Sequence, residues 1–328
     1  MIFFDGFIDS YYSYDFNLKN HEERIYTTQA VVHNNPSINL VHAGINLQKE
    51  KYRGRFALQW GDSVTANTLS EVNPSLGHIQ ESYAGIKIGE KTWLDAGIFL
   101  GHIGMESWIS NKNWTYTRSF LSDYVPYYSL GLKLSHEFSS IHFEFHILNG
   151  WQNISETNRD KSIGVQVKKD IQDLTLTYNN FLGNEKVYPS DKNSFRTYHN
   201  LISQYKFNED WEGIFSFDIG TQERKKKSGV GTWSAASGVI RKRLGRKHAV
   251  ALRYEYYHDP EEFNVRTQSG IGFRVRSASI NYDININKKT IWRTEFRTYQ
   301  SVKKIFPERG NNLSQADNLI VSSISMNI

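Results

Sequence analysis

The connections of this chain sort themselves into two kinds, and the two kinds alternate without exception along the sequence. Tight connections stand at Lys49–Tyr52, Gly89–Lys91, Ser139–Ser140, Asp170–Gln172, Asn208–Asp210, Leu244–Arg246 and Asn287–Lys289. Between them lie polar segments of roughly ten to twenty-four residues, the longest near 103–126, the pattern of a barrel with short turns at one end and long loops at the other. The segments being connected alternate apolar and polar residues with a period of two. Tyr128-x-Leu130-x-Leu132-x-Leu134 is interleaved with Gly131, Lys133 and Ser135; Ile141-x-Phe143-x-Phe145-x-Ile147 is interleaved with His142, Glu144 and His146. A helix would scatter these apolar residues around its circumference, whereas a strand puts them all on one face. A soluble sandwich has no reason to sort its connections by side. A closed barrel crossing a membrane does.

The runs predict sixteen strands, near 3–16, 37–48, 53–63, 79–88, 92–102, 127–138, 141–150, 161–169, 173–182, 196–207, 211–220, 231–243, 247–258, 273–286, 290–300 and 318–328. An even number lets both termini sit on the tight-turn side, as a bacterial single-chain barrel requires. The expected fold is therefore all-β: one transmembrane antiparallel barrel over 1–328, with short periplasmic turns and long external loops. Two segments resist the pattern. The run 231–243 fits neither parity, and the parity of Ala278-Ile280-Tyr282-Ile284-Ile286 turns Arg274 and Arg276 toward lipid, so that either a bulge shifts the parity there or these arginines already lie at the outer rim.

Composition agrees with this reading where it bears on it. Nineteen Tyr, nineteen Phe and eight Trp against six Pro favour strands. Mean hydropathy is −0.56, which suits a barrel because only alternate residues face lipid. Phe138, Phe207, Trp211, Trp93 and Trp292 flank tight turns, while Trp60 and Tyr256 fall near the opposite ends, as interfacial belts require. The absence of cysteine excludes disulfides and thiolate chemistry. Met1-Ile2-Phe3-Phe4-Asp5 is no export signal, so the signal of an outer-membrane protein is expected to have been removed. The isoelectric point of 9.0 comes from 39 bases against 34 acids. They are spread evenly, without the basic stripe of a nucleic-acid-binding surface.

Gly6-Phe7-Ile8-Asp9-Ser10-Tyr11-Tyr12-Ser13-Tyr14-Asp15-Phe16, Pro126-Tyr127-Tyr128-Ser129-Leu130-Gly131 and Asn149-Gly150-Trp151 resemble segments of the porin-2, or OmpL-like, family of outer-membrane β-barrels. Arg253-Tyr254-Glu255 and Arg293-Thr294-Glu295-Phe296-Arg297 fit it as well. The resemblance spans nearly the whole chain. It implies a porin-like barrel and carries no catalytic residues.

The chemistry is then sought in the lumen. Parity turns Arg253, Glu255, Arg293, Glu295 and Arg297 inward near mid-barrel on two strands ~10 Å apart, a charged stripe on one wall. Lys133 and Glu144 share the pore-lining parity. The stripe reads either as a field that orients solutes or as a salt-bridge network that stiffens the wall. A surplus of one positive charge there, with Arg53 and Arg55 nearer the periplasmic end, predicts a weak preference for anions. The loop near 103–126 holds Glu106, Lys112, Arg118 and Asp123 among Trp108, Trp114, Tyr116 and Phe120. So many aromatics need a surface to bury against, so the loop is expected to fold inward and narrow the pore; the alternative packs it over the mouth or against a neighbouring subunit.

Other candidates weigh less. His142, Glu144 and His146 suggest a metal, but residues four apart on a strand are ~13 Å apart, too far to share one ion unaided. Gly-rich phosphate loops, zincin helices and a Ser-His pair are absent, so neither enzyme nor cofactor is expected. Arg224-Lys225-Lys226-Lys227 forms a basic loop tip suited to lipopolysaccharide phosphates. The expected partners are outer-membrane lipid, lipopolysaccharide, small hydrophilic solutes and a second copy of the chain in a trimer, if it is not a monomer. The expected function is passive diffusion. A substrate-specific channel or receptor barrel is the runner-up, and a soluble carbohydrate-binding or adhesive β-protein comes after it.

Overall fold

The computed structural model describes residues 1–19, 22–69, 71, 73–156, 158–185, 194–224, 228–267, 270–310 and 312–328. The first half of the chain forms β1 (Ile2–Asp15), β2 (Ser37–Gln48), β3 (Tyr52–Trp60), helix α1 (Asp62–Thr68), β4 (Ile79–Gly89), β5 (Thr92–Leu100), helix α2 (Phe120–Asp123), β6 (Tyr128–Glu137), β7 (Ile141–Leu148) and β8 (Ser162–Ile171). There follow β9 (Leu174–Asn184), β10 (Phe195–Lys206), β11 (Trp211–Glu223), β12 (Val230–Leu244), β13 (His248–Asp259), β14 (Phe273–Asn285) and β15 (Thr290–Ser301). The small hairpin β16 (Phe306–Glu308) with β17 (Asn312–Ser314) rides on the last external loop, and β18 (Ala316–Asn327) ends the chain.

Sixteen of these strands close into one antiparallel barrel, each paired with its sequence neighbours and β1 sealed to β18. Closure leaves no unpaired edge, so every backbone polar group in the wall is satisfied without water. The tight turns need little chain: in the turn after β12, Gly245 takes a φ of 74°, which favours glycine. The external loops are long at 16–36, 61–78, 101–127 and 302–315. The loop at 224–229 is shorter than the sequence suggests because β11 and β12 run further outward than their hydrophobic pattern does.

The period of two separates the faces. Phe56, Leu132, Phe215, Leu252, Ile280 and Phe296 are exposed on the outside, the lipid-facing surface. Phe138, Phe207, Trp211 and Trp292 are likewise exposed beside the tight turns, and Trp60 at the opposite end. Trp93 is not part of that belt: it pairs with inward-facing Ser135, and the Arg53 guanidinium lies 4.6 Å from its ring inside the barrel. The run 53–63 also ends early, since the chain turns at Gly61 into α1.

The two segments that resisted the pattern have physical explanations. In β12 the alternation is regular but chemically inverted in its outer half, where Trp233 and Ala235 are buried inside and Thr232 faces out; Ser237 inside and Ile240 outside keep the ordinary sense. In β14 no bulge intervenes, and Arg274 and Arg276 point outward on the same face as Ile280.

The inverted strand belongs to a larger correction. The interior is not polar throughout, because Tyr11, Phe181, Tyr198, Trp233, Tyr257, Phe273 and Tyr299 join loop residues in a buried apolar cluster. The aromatics of the long loop supply the other half of this core, and burying such rings on both sides is what holds the cluster together.

Candidate functional site

The loop 101–127 leaves the barrel wall at Leu100, crosses the interior and returns at Tyr128. Its middle is held by the opposite wall through bonds that use its backbone. Glu295 accepts from the Thr117 amide at 2.6 Å and from the Thr117 hydroxyl at 2.9 Å. Glu255 accepts from the Phe120 amide at 2.7 Å. Arg253 donates to the Thr117 carbonyl at 2.5 Å, Arg297 to the Arg118 carbonyl at 2.8 Å, and Arg293 to the Ser110 and Asn113 carbonyls at 2.8 and 2.9 Å. A loop inside a barrel has few chances to form a ladder. Here charged side chains stand in for strand partners, which is what buried carbonyls and amides require.

Four of these five wall residues pair with one another, and Arg293 pairs with Asp283 beside them. Arg253 reaches Glu295 at 3.0 Å, Arg293 reaches Asp283 at 2.6 Å, and Arg297 pairs with Glu255. Arg253, Glu255, Arg293, Glu295 and Arg297 do face inward, as their parity requires, yet the loop covers them and all five are buried. They grip the loop; permeating water does not reach them. Inward parity distinguishes lipid from lumen, but it cannot distinguish water from a docked loop.

The loop candidates divide in the same way. Glu106 is half-buried, accepts from the Ser119 amide and hydroxyl at 2.6 Å each, and lies 3.3 Å from Arg253. Burial alone would raise its carboxyl, but Arg253 and Ser119 outweigh that and hold it below the ordinary carboxylate value. Arg118 is buried 3.9 Å from the Tyr127 ring centroid and donates to the Ser122 carbonyl at 2.5 Å. Asp123 is buried against Thr28 and Tyr127, and burial raises its carboxyl. Lys112 alone among these four is exposed. It lies on a single 3-10 turn whose neighbour Ser110 donates to Asp9 at 2.8 Å, within electrostatic reach of His42 and Glu81 on the far wall.

The opposite wall is left open. Arg53 forks onto Asp95 at 2.7 and 2.5 Å, and Arg55 bridges Asp5 and Glu81 at 2.7 and 2.5 Å. Lys133 has Asp95 at 3.8 Å and the Phe99 ring at 5.0 Å. Glu144 accepts from His142 at 3.1 Å and from His146 at 3.0 Å, so the two imidazoles are gathered by a carboxylate. No group of three His, Cys, Asp or Glu able to hold a metal ion occurs among the described residues.

A cavity of about 380 Å³ lies between the loop and this wall, lined by His102, Glu106, Arg118, Lys133, Glu144 and Gln166. A second, of about 470 Å³, opens at the tight-turn end and is lined by Glu137, His142, Gln166, Lys168 and Asp170. Gln166 is common to both. At the external rim, Arg224 pairs with Glu261 at 2.5 Å; Lys225, Lys226 and Lys227 lie outside the described residues.

Several contributors escaped the sequence reading. Asp9 accepts from Ser110, Asn39 and Tyr116, and Asn281 accepts from the Tyr116 amide at 3.2 Å. Asp9 shares the parity of Asp5 and Asp15 on β1, a row of inward acids that the alternation does display.

A sixteen-stranded closed barrel with a long third external loop bound inside it defines the porin class of outer-membrane β-barrels. Solved structures agree on the fold. The anion-selective porin from Comamonas acidovorans matches with a TM-score of 0.65 at 11% identity, covering 100% of this chain and 99% of that one. The outer membrane channel DcaP of Acinetobacter baumannii matches with a TM-score of 0.67 at 9% identity, covering 100% and 97%. In-vitro folded OmpT of Vibrio cholerae, in its trimer form, matches with 0.67 at 10%, covering 100% and 99%. No curated protein matches the sequence. The chain belongs to the family described as "Putative beta-barrel porin-2, OmpL-like", whose model matches residues 1–327.

Proposed function

We propose that this chain is a passive diffusion channel for small hydrophilic solutes or ions, without catalytic activity, working in the bacterial outer membrane. The observation that carries the reading is the pair of polar cavities that share Gln166 in their linings. Together they trace a route along β6, β7 and β8 from the tight-turn mouth to the flank of the docked loop. The loop fills the β13–β15 side, so solutes are confined to the side lined by Lys133, Glu144, His142 and Gln166. Comparison with the trimer form of a fold relative supports a homotrimer as one assembly, the monomer being the other.

The charges of the open wall beside this route nearly cancel. Arg53, Arg55, Lys112 and Lys133 stand against Asp5, Glu81, Asp95 and Glu144, and most are paired. Lys112 is the exception, exposed and without a carboxylate at ion-pair distance among the described residues. Charges more than a Debye length apart, ~8 Å at physiological salt, contribute little to one another's field. We take this exposed, unpaired lysine to set the sign, and the expected outcome is a weak anion preference. Reversal potentials under a KCl gradient test this: Lys112→Glu should move the preference toward cations, while Arg253→Ala with Arg293→Ala acts only through loop position. A wild-type channel with clear cation preference would place Glu81 or Glu144 in control instead.

A further inference from the structure

We infer that the outer face of β13, β14 and β15 holds a site for the phosphate headgroup of an outer-leaflet lipid, centred on Arg274 and Arg276. The cross-strand register sets a polar row where the barrel should be apolar: His258 stands opposite Arg274, and Tyr256, Arg276 and Gln300 form the next row inward. The Arg274 Nε donates to the Tyr256 hydroxyl at 2.9 Å, and both guanidinium carbons lie 6.0 Å from the Tyr256 ring centroid. This sets the two arginines around one phenol, with Arg274 held to its hydroxyl. Neither arginine has a carboxylate within ion-pair distance among the described residues, although all three inward arginines of β13 and β15 are paired. A concavity of about 190 Å³ lies between them, lined by Tyr256, Arg274, Arg276, Gln300, Ser301 and Val302. Lys303 and Lys304, both exposed, follow directly in the chain.

Depth decides which anion fits. Ile284 pairs with Trp292 of the periplasmic belt, and Arg276 and Arg274 lie eight and ten residues further out along β14. At ~3.3 Å per residue and a tilt of ~40°, they stand ~20 and ~25 Å above that belt, against an apolar band ~25 Å tall. The arginines thus lie where acyl chains end and headgroups begin. Ala278, Ile280 and Phe296, below them on the same face, offer the apolar wall that the chains of such a lipid need. Two guanidinium groups at this height match a phosphate in geometry as well as charge, since each can donate two parallel bonds. A free anion would gain the charge contact but not the wall beneath it.

The test uses the full chain, folded in detergent and examined by native mass spectrometry after incubation with bisphosphorylated lipid A. Wild type should retain the lipid. Arg274→Ala with Arg276→Ala should bind it ~30-fold more weakly, the loss expected for two basic residues near an anionic surface. Lys169→Ala with Lys242→Ala, cations on the outer face at the other end, should bind as wild type does. Arg274→Lys with Arg276→Lys should fall between, because charge is kept and the paired bonds are lost. Every variant is first checked for SDS-resistant migration, which exposed rim substitutions should leave unchanged. Retention of dephosphorylated lipid at the wild-type level, equal binding by the double alanine variant, or displacement of lipid A by inorganic phosphate at equal concentration would each overturn the assignment.

Discussion

Deleting Ser110–Phe120 should raise single-channel current severalfold and admit larger solutes, while the barrel still assembles. The deletion removes the whole stretch gripped by Arg253, Glu255, Arg293, Glu295 and Arg297, along with the Tyr116 and Phe120 rings that seal the apolar half of the interior. It leaves the wall untouched, since every barrel strand is bonded to two neighbouring strands without help from the loop. The five charged side chains would then meet water, not a dry cavity, and hydration replaces the bonds they lose. A barrel of sixteen strands is wide enough to hold an aqueous channel once its filling is gone. A gentler variant separates grip from filling. Arg253→Ala with Arg297→Ala strands Glu255 and Glu295 without their partners, at ~3–5 kcal/mol for a broken buried pair. The loop should then stay in place only part of the time, read as flickering between two current levels. Unchanged current in a folded deletion variant would put the solute route elsewhere.

Leu132→Arg and Phe145→Arg should block membrane assembly, whereas Lys133→Ala and Glu144→Ala should leave it nearly intact. The two sets are sequence neighbours and differ mainly in which face of β6 or β7 they occupy. Leu132 stands opposite Ile147 on the outer face, and Phe145 stands opposite Leu134. A cation at mid-depth there costs ~2–4 kcal/mol. Lys133 loses its place over the Phe99 ring and a loose contact with Asp95, which keeps its fork from Arg53. Heat-modifiable migration in SDS reads the outcome directly, and equal damage from both sets would contradict the assignment of one face to lipid and the other to the interior.

The wall of the barrel was almost entirely legible in the sequence, because a period of two and a sorting of turns are local properties that each strand repeats. The contents of the barrel were legible only in outline. The inward stripe on β13 and β15 is visible by parity, but its task of holding a backbone is not, because no local pattern marks Thr117 or Phe120 as its partners. Trp233 was unreadable for a related reason. The loop's own aromatics turn part of the lumen into a core, so β12 faces apolar surroundings on the inside as well, and the polar-in rule fails there. Trp93 shows the same limit, since an aromatic beside a turn fits an interface belt and an interior stack equally well until the register is known. For Arg274 and Arg276 the sequence left a bulge and a place at the outer rim open, and the unbroken register of β14 removes the bulge.

The central claim is that a continuous aqueous route passes the docked loop, and recording from the purified chain in planar bilayers tests it most directly. Discrete current steps of uniform size are expected, growing in proportion to salt concentration and opening without added ligand. A folded, SDS-resistant barrel that inserts and yet carries no current would contradict it, because the loop would then close the lumen as a plug.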